Sequence, residues 1–173
     1  MTLIEPCCTQ KHWPEILRKA GNGGTTPFHG YGDLSISELF PVLLARYVET
    51  DMTMVCPVLP GAAVQVLKKW MEKSRSSADG KERLNVIRSL KLITDLRPKK
   101  SGEAAKWLKE NPWPGRLTLC DVQQNDTAIL LPDFAVFGNV NLAHNGHFVA
   151  LASTSKGFIN SLHQTYAALV SRQ

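Results

Sequence analysis

The stretch LLPDFAVFGNVNLAHNGHFVAL, residues 130–151, contains the features on which the fold prediction depends. Two apolar runs of the strand type flank a Gly-Asn-Val-Asn corner that begins at Gly138. His144 and His147 lie on either side of Asn145-Gly146, the usual dipeptide of a two-residue type I′ hairpin turn. The segment therefore predicts strands joined by tight turns, and it leaves open whether the two histidines have a chemical role.

Outward from this stretch, the apolar pattern predicts an alternation of helices and strands. Continuous or alternating apolar runs predict strands at 51–59, 89–96, 116–122, 127–131, 134–138 and 147–152. Capping signals and helical periodicity predict helices at 34–49, 60–73, 101–107 with Ser101 as N-cap, and 156–170. This order predicts a three-layer α/β sandwich with a mixed sheet, parallel in its first half and antiparallel in its second.

Two divisions of the chain are predicted. Residues 1–33 are rich in glycine and turn-forming residues, and they are expected to form an irregular N-terminal lead-in. Residues 34–173 are expected to form a single domain, because 173 residues are too few for two ordinary domains without repeats.

Bulk composition predicts a globular cytoplasmic protein. The hydrophobic fraction of 43% and the charged fraction of 20% are typical of soluble globular proteins, and no apolar run approaches the roughly 20 residues of a membrane span. The four cysteines lack CxxC spacing, and Cys56 and Cys120 lie inside apolar runs, where cysteine usually acts as a small hydrophobic residue. A reducing compartment follows from this usage.

Positive charge is concentrated in the middle of the chain. Residues 66–116 contain 14 Lys and Arg against 6 Asp and Glu, a net charge of +8, whereas the remaining residues carry a net charge of −3. Such asymmetry predicts either one face that attracts nucleic acid or another polyanion, or an ordinary solvated surface.

The candidate residues for binding a polyanion are basic and fall into two groups, one after a predicted strand and one on a predicted helix. Because open α/β sheets bind ligands beyond the carboxyl ends of their strands, the strongest candidates follow the strand at 89–96, namely Arg97, Lys99 and Lys100. The helix at 60–73 adds Lys68, Lys69 and Lys73. Trp107 and Trp113 are either stacking platforms for unpaired bases or packing residues.

The order of elements, together with residues 130–169, resembles the phospholipase D superfamily. In that family a hairpin carries a His-x-Lys-x4-Asp motif, which is followed by Gly-Ser-x-Asn, a strand and a closing helix. Here Gly138 and Asn141 match the Gly and Asn of the second element, and Asn139 stands where Ser is usual. Asp133 stands for the motif aspartate, with four residues before Gly138 where six are common.

The first half of the family motif is absent. In the family, His is the phosphodiester nucleophile, and Lys with Asn holds the phosphate charge. Counting back from Asp133 puts Asp126 and Ala128 at the His and Lys positions, whereas counting back from Gly138 puts Gln124 and Asp126 there. No histidine in the sequence has a lysine two residues later, and a carboxylate repels a phosphate. The resemblance therefore implies a catalytically degenerate member without catalytic residues or a cofactor.

Three interpretations of function remain open. The leading one is a non-catalytic phospholipase D-like module that binds nucleic acid or another polyanion through the basic candidates and Asn141. The second is a divergent phosphodiesterase, nuclease or metal-dependent hydrolase that uses His144 and His147, although two imidazoles fall short of the ligand number of a zinc site. The third is a protein–protein interaction module, and a homodimer is implied by resemblance because active family members bring two motifs together.

Overall fold

The computed structural model of the chain describes residues 12–30, 49–59, 61, 64–65, 68–69, 86–113, 115–138 and 148–172. Within them lie strands β1 (Thr25–Gly30), β2 (Glu49–Val58), β3 (Val86–Asp95), β4 (Arg116–Asp121), β5 (Thr127–Leu130), β6 (Ala135–Gly138) and β7 (Phe148–Ser153). The helices are α1 (His12–Ala20), α2 (Lys99–Glu110) and α3 (Lys156–Ser171), and residues 61, 64–65 and 68–69 are also helical. The predicted helix at 34–49 lies outside the described residues except for its last position.

All seven strands belong to one mixed sheet in the order β1-β7-β6-β5-β2-β3-β4. Strands β2, β3 and β4 are parallel neighbours. The pairs β2–β5, β5–β6, β6–β7 and β1–β7 are antiparallel. The prediction of a parallel first half and an antiparallel second half is confirmed, and the two halves meet where β2 pairs with β5.

Apolar residues cover both faces of the sheet, which makes the fold three layers. Successive residues of a strand point to opposite faces of the sheet. Leu92 and Ile93 in β3 are nevertheless both fully buried, so both faces of the sheet are covered. One face packs against α1 and α2 in a cluster that includes Ile16, Leu17, Met54, Leu92, Ala104 and Leu108. The other face packs against α3 in a cluster that includes Val55, Ile93, Val122, Ala128, Ile159, Leu162 and Tyr166.

The prediction of an irregular lead-in at 1–33 is wrong for the residues that form α1 and β1. Helix α1 buries Ile16, Leu17 and Ala20 in the core, and β1 adds an edge strand to β7. Thr154, which follows β7, accepts a hydrogen bond from the Gly23 backbone N–H at 2.9 Å and donates one to the Ala20 carbonyl at 3.1 Å. The segment is therefore held by both its apolar side chains and its backbone.

The predicted N-cap at Ser101 is also wrong. Helix α2 begins two residues earlier, with Pro98 at the N-cap position, so Ser101 lies inside the first turn. The Ser101 hydroxyl is fully buried and accepts a hydrogen bond from the Leu59 backbone N–H at 3.0 Å. A tertiary contact to the end of β2, rather than a local cap, therefore explains this serine.

Cys56 confirms the interpretation of a cysteine within an apolar run. Its side chain is 1% exposed in β2, and burial raises the pKa of its thiol to about 12. Such a thiol stays protonated at neutral pH and is a poor nucleophile. Cys120 is half-buried against the cluster under α3.

Candidate functional site

The candidate site lies at the edge of the sheet where the parallel strands end. Strands β2, β3 and β4 run toward this edge and end at Val58, Asp95 and Asp121. Because β5 is antiparallel to β2 and β6 is antiparallel to β5, the beginning of β5 at Thr127 and the end of β6 at Gly138 reach the same edge. We call this edge the carboxyl edge. In open α/β sheets it is the usual place for a ligand.

Two carboxylates fix the loop between β3 and α2 at the carboxyl edge. Asp95 accepts hydrogen bonds from the Arg97 backbone N–H at 3.0 Å, from Arg97 Nε at 2.9 Å and from Arg97 Nη2 at 2.5 Å. Asp121, at the end of β4, accepts one from the Leu96 backbone N–H at 2.9 Å. The loop therefore has a defined conformation, supported from its own strand and from the neighbouring one.

The ion pair between Asp95 and Arg97 reduces the positive charge that Arg97 can offer to an anionic ligand. Hydrogen bonds from Arg97 lower the pKa of the Asp95 carboxyl to about 2, and the same carboxylate raises the pKa of the Arg97 guanidinium. Arg97 remains 63% exposed, whereas Asp95 is 13% exposed. An anion that approaches Arg97 meets a cation whose charge is already partly balanced.

Lys99 and Lys100 occupy the first turn of α2, next to this loop. Both are exposed, and Lys99 Nζ lies 3.9 Å from a carboxylate oxygen of Glu103. An exposed pair of this kind contributes little, so both ammonium groups are accessible to other anions. The first turn contains no acidic residue, and no side chain caps it. Two cations therefore lie at the positive end of the helix dipole, an arrangement that a bound anion would relieve.

Of the lysines predicted on the preceding helix, two lie within the described residues. Lys68 is half-buried, with its Nζ 5.6 Å from the centre of the Trp107 ring on α2, and Lys69 is exposed. A cation–π contact of this length orients Lys68 toward α2. Trp113 is 7% exposed and packs in the core, so it is not a stacking platform. Lys73 lies outside the described residues.

The structure separates two members of the predicted motif remnant. Gly138 lies at the carboxyl edge, whereas Asp133 lies in the turn between β5 and β6, at the opposite end of both strands. A four-residue strand spans about 13 Å, so Asp133 and Gly138 do not converge. Asn139, Asn141, His144 and His147 lie outside the described residues, and their roles stay predictions.

Gly138 has a packing role that requires no chemistry. A Cβ atom at this position would lie 2.4 Å from the Val149 carbonyl oxygen and 2.7 Å from Ala150 Cα, both on β7. Only glycine allows β6 and β7 to approach this closely. The match of Gly138 to the family motif is therefore explained by strand packing alone.

Sequence reasoning missed a group of polar side chains near the beginning of β5. Tyr166 of α3 is 3% exposed, and its hydroxyl has no hydrogen-bond partner among the described residues. Burial and the negative charge of Asp126 raise the pKa of this hydroxyl. The carboxamide nitrogen and oxygen of Gln124 are likewise buried, without a partner in the described part of the chain. Helical periodicity alone places Tyr166 on the apolar face of its helix, whereas Gln124 and Asp126 are prominent in the sequence only because they occupy positions of the missing motif.

Two further observations concern metals and membranes. In the ranges that the structure describes, no three His, Cys, Asp or Glu residues group in a way that could hold a metal ion. None of the described helices combines the length and apolarity needed to cross a membrane.

The similarity of this chain to known proteins lies in its structure. No family model matches the sequence, and no curated protein matches it. NucT from Helicobacter pylori is similar in structure, with a TM-score of 0.55 and 13% identity over 85% of this chain and 95% of that chain. Polyphosphate kinase from Porphyromonas gingivalis is similar with a TM-score of 0.59 and 10% identity over 97% of this chain and 27% of that chain.

The fold is phospholipase D-like. This confirms the fold that was expected from the order of elements and from the segment at 130–169. At identities of 13% and 10%, the similarity concerns the fold and extends to no particular activity.

Proposed function

We propose that this chain is a non-catalytic phospholipase D-like module that binds nucleic acid or another polyanion at the carboxyl edge of its sheet. The observation that carries the proposal is the position of Arg97, Lys99 and Lys100, which follow β3 on one ordered loop and the first turn of α2. Such cations neutralise phosphates and release counterions, so binding would weaken as salt increases.

Residue chemistry at the motif positions supports binding without cleavage. Asp126 and Ala128, or Gln124 and Asp126, occupy the positions of the family's nucleophile and lysine. Ala128 is 1% exposed and carries only a methyl group, and Asp126 is an exposed carboxylate. Neither offers the imidazole that attacks the phosphodiester in active members.

Among the structural neighbours, the name of polyphosphate kinase states a polyanionic substrate. We take this as support for the ligand class only, since a fold can carry many functions. The homodimer and the cytoplasmic location that were expected from the sequence belong to the same proposal. A monomer in sedimentation at micromolar concentration would contradict the homodimer.

The test is fluorescence anisotropy of labelled single- and double-stranded DNA across a salt series. The charge-reversed variant Lys99→Glu/Lys100→Glu is compared with Lys106→Glu/Lys109→Glu. The control variant makes the same charge change later in the same helix. Each variant removes one exposed ion pair with an N–O distance of 3.9 Å, Lys99 with Glu103 in the first and Lys106 with Glu110 in the control. The two variants therefore differ mainly in their distance from the carboxyl edge.

Each phosphate contact contributes about 0.9 to the slope of log affinity against log salt on double-stranded DNA. Loss of two contacts should lower the slope by about 2 and the affinity at 0.1 M salt by about 10- to 100-fold. The control variant should change both quantities much less. Equal effects of the two variants would mean that general charge, rather than this edge, attracts the DNA, and absence of binding at low salt would refute the proposed function.

A further inference from the structure

The short link between β3 and α2 has a fully determined backbone. It consists of Leu96, Arg97 and Pro98. The Leu96 N–H donates to Asp121 at 2.9 Å, and the Arg97 N–H donates to Asp95 at 3.0 Å. Pro98 has no N–H to satisfy, and its ring holds φ at −59°. Carboxylates at the ends of two neighbouring strands therefore fix the backbone that carries Arg97 before any ligand binds.

Asp95 also fixes the side chain of Arg97. Arg97 Nε lies 2.9 Å from Asp95 Oδ1, and Arg97 Nη2 lies 2.5 Å from Asp95 Oδ2. A bidentate contact of this kind occupies one edge of the planar guanidinium group and sets the plane of the whole group. The edge formed by Nη1 and Nη2 consequently points away from Asp95. Because 63% of the Arg97 side chain is exposed, a ligand can reach this group.

The ion pair has two opposing effects on an anionic ligand. Asp95 repels the anion, and a unit charge about 4–6 Å away through water changes affinity by about 2- to 3-fold at 0.1 M salt. The same carboxylate orders Arg97 in advance, and a free arginine side chain has rotamer freedom equivalent to a factor of about 30 in affinity. The ordering effect is the larger of the two, so the pair favours binding on balance.

We propose that Arg97 binds two oxygens of one phosphate group through its Nη1 and Nη2 edge, and that Asp95 and Asp121 are positioning residues for this contact. The proposal rests on the proposed function, to which it adds the phosphate-binding group and the residues that orient it. A pair of neighbouring phosphate oxygens is supplied both by a nucleic acid and by inorganic polyphosphate. Removal of the negative charge at Asp95 should therefore weaken the binding of an anion.

Three alanine variants test this expectation, each lacking one negative charge at the carboxyl edge: Asp95→Ala, Asp121→Ala and Asp126→Ala. Asp126 directly precedes β5, on the side of the antiparallel strands, and serves as the charge control. Affinity for labelled single-stranded DNA is measured by fluorescence anisotropy across a salt series. Asp126→Ala should tighten binding by about 2-fold, a gain that screening reduces as salt rises. Asp95→Ala should weaken binding by about 5-fold, Asp121→Ala should act in the same direction, and both losses should persist as salt rises.

Variants of Arg97 show whether Asp95 acts through it. In an Arg97→Ala background, Asp95→Ala should tighten binding, since only a repulsive charge is then removed. Arg97→Lys keeps the charge but loses the planar pair of donors, so it should weaken binding in the wild-type background. Asp121→Asn keeps an oxygen acceptor for the Leu96 N–H and should restore the affinity lost in Asp121→Ala. Asp121 is exposed, so its variants test the positioning even where Asp95→Ala fails to fold.

Inorganic polyphosphate, used as a competitor of the labelled DNA, distinguishes the sources of the phosphate. Weakening by Asp95→Ala with both probes means that the site takes phosphate from either source, and weakening with DNA alone assigns the site to nucleic acid. Folded Asp95→Ala or Asp121→Ala protein that binds DNA as tightly as the wild type, or more tightly, overturns the inference and leaves polyanion binding intact. No affinity of the wild-type protein for either probe at low salt refutes the proposed function, and the phosphate contact with it.

Discussion

Replacement of Gly138 by alanine distinguishes a packing role for this glycine from a role in ligand chemistry. The added Cβ would lie 2.4 Å from the Val149 carbonyl oxygen, 2.7 Å from Ala150 Cα and 2.9 Å from Ala150 Cβ. All three distances are below those of real contacts, and two involve the backbone of β7, so β6 and β7 must move apart. Overpacking of this kind costs about 1–3 kcal/mol, and the φ of +157° adds about 1 kcal/mol for a residue with a side chain.

The expected loss in the free energy of unfolding is therefore about 3 kcal/mol, which corresponds to a fall in Tm of about 10 °C for a chain of this size. Gly157→Ala is the matched control, since it makes the same chemical change in α3, where a Cβ meets no atom within 4 Å. Alanine is the better helix former, so this variant should gain about 0.5–1 kcal/mol. Glycine-to-alanine substitution should therefore lower the free energy of unfolding at position 138 and raise it at position 157.

Urea denaturation followed by far-UV circular dichroism measures both variants. The slope with urea should stay constant while the midpoint changes, because the amount of surface exposed on unfolding is the same. A free energy of unfolding for Gly138→Ala within about 0.5 kcal/mol of the wild type would refute the close approach of β6 and β7. Unaltered DNA affinity in the folded fraction would further show that the glycine serves the sheet and not the ligand.

Three further predictions concern charge, thiol chemistry and the core. Asp95 has a folded pKa of about 2, below the usual value of about 3.9, so it contributes stability above pH 4 that is lost as pH falls toward 2; Asp95→Asn should flatten the acid limb of a plot of stability against pH. Cys56, with a thiol pKa of about 12, should resist iodoacetamide at pH 8 in the native protein and react in urea, as measured by peptide mass spectrometry. Leu92→Ala, at a fully buried position, should cost about 2–5 kcal/mol in urea denaturation, and a loss below 1 kcal/mol would place Leu92 outside the core.

The central strands were predictable because their sequence signal coincides with their burial. The runs that form β2 and β3 are apolar on both faces, and the structure covers them on both faces. Their predicted starts are two to three residues late, since Glu49 and Arg88 are exposed and interrupt the apolar pattern. Polar residues at the ends of a strand can still belong to its ladder, where they pair through the backbone.

The sequence contains a signal for helix α1 that the irregular composition of residues 1–33 obscures. Ile16, Leu17 and Ala20 have helical spacing, and Pro14 and Glu15 are typical of a first turn. Gly21, with a φ of +52°, follows the last helical residue and donates its N–H to the Leu17 carbonyl at 3.1 Å. The glycines beyond it predict turns, so the segment as a whole has the composition of a loop although it contains a short helix. Pro27 lies within β1, and a proline normally argues against a strand because it has no backbone N–H to donate. It is tolerated here because β1 is at the edge of the sheet.

The candidate site was predictable only in its cations. That Arg97, Lys99 and Lys100 lie beyond β3 follows from the order of residues, whereas the ion pair with Asp95 depends on the conformation of the loop. Tyr166 comes from α3, and its burial results from packing of that helix on the sheet. Sequence periodicity treats a tyrosine on an apolar face as a packing residue, and it gives no sign that its hydroxyl lacks a partner.

The junction of β2 and β5 divides the carboxyl edge into two chemically different halves. The parallel half ends in carboxylates that hold a basic loop, with Asp95 and Asp121 as acceptors. The antiparallel half begins near Asp126, and the resemblance puts either Asp126 and Ala128 or Gln124 and Asp126 at the positions of the family's nucleophile and lysine. On the proposed function, a phosphate chain would lie on the parallel half, and the negative charge of Asp126 would keep it away from the antiparallel half.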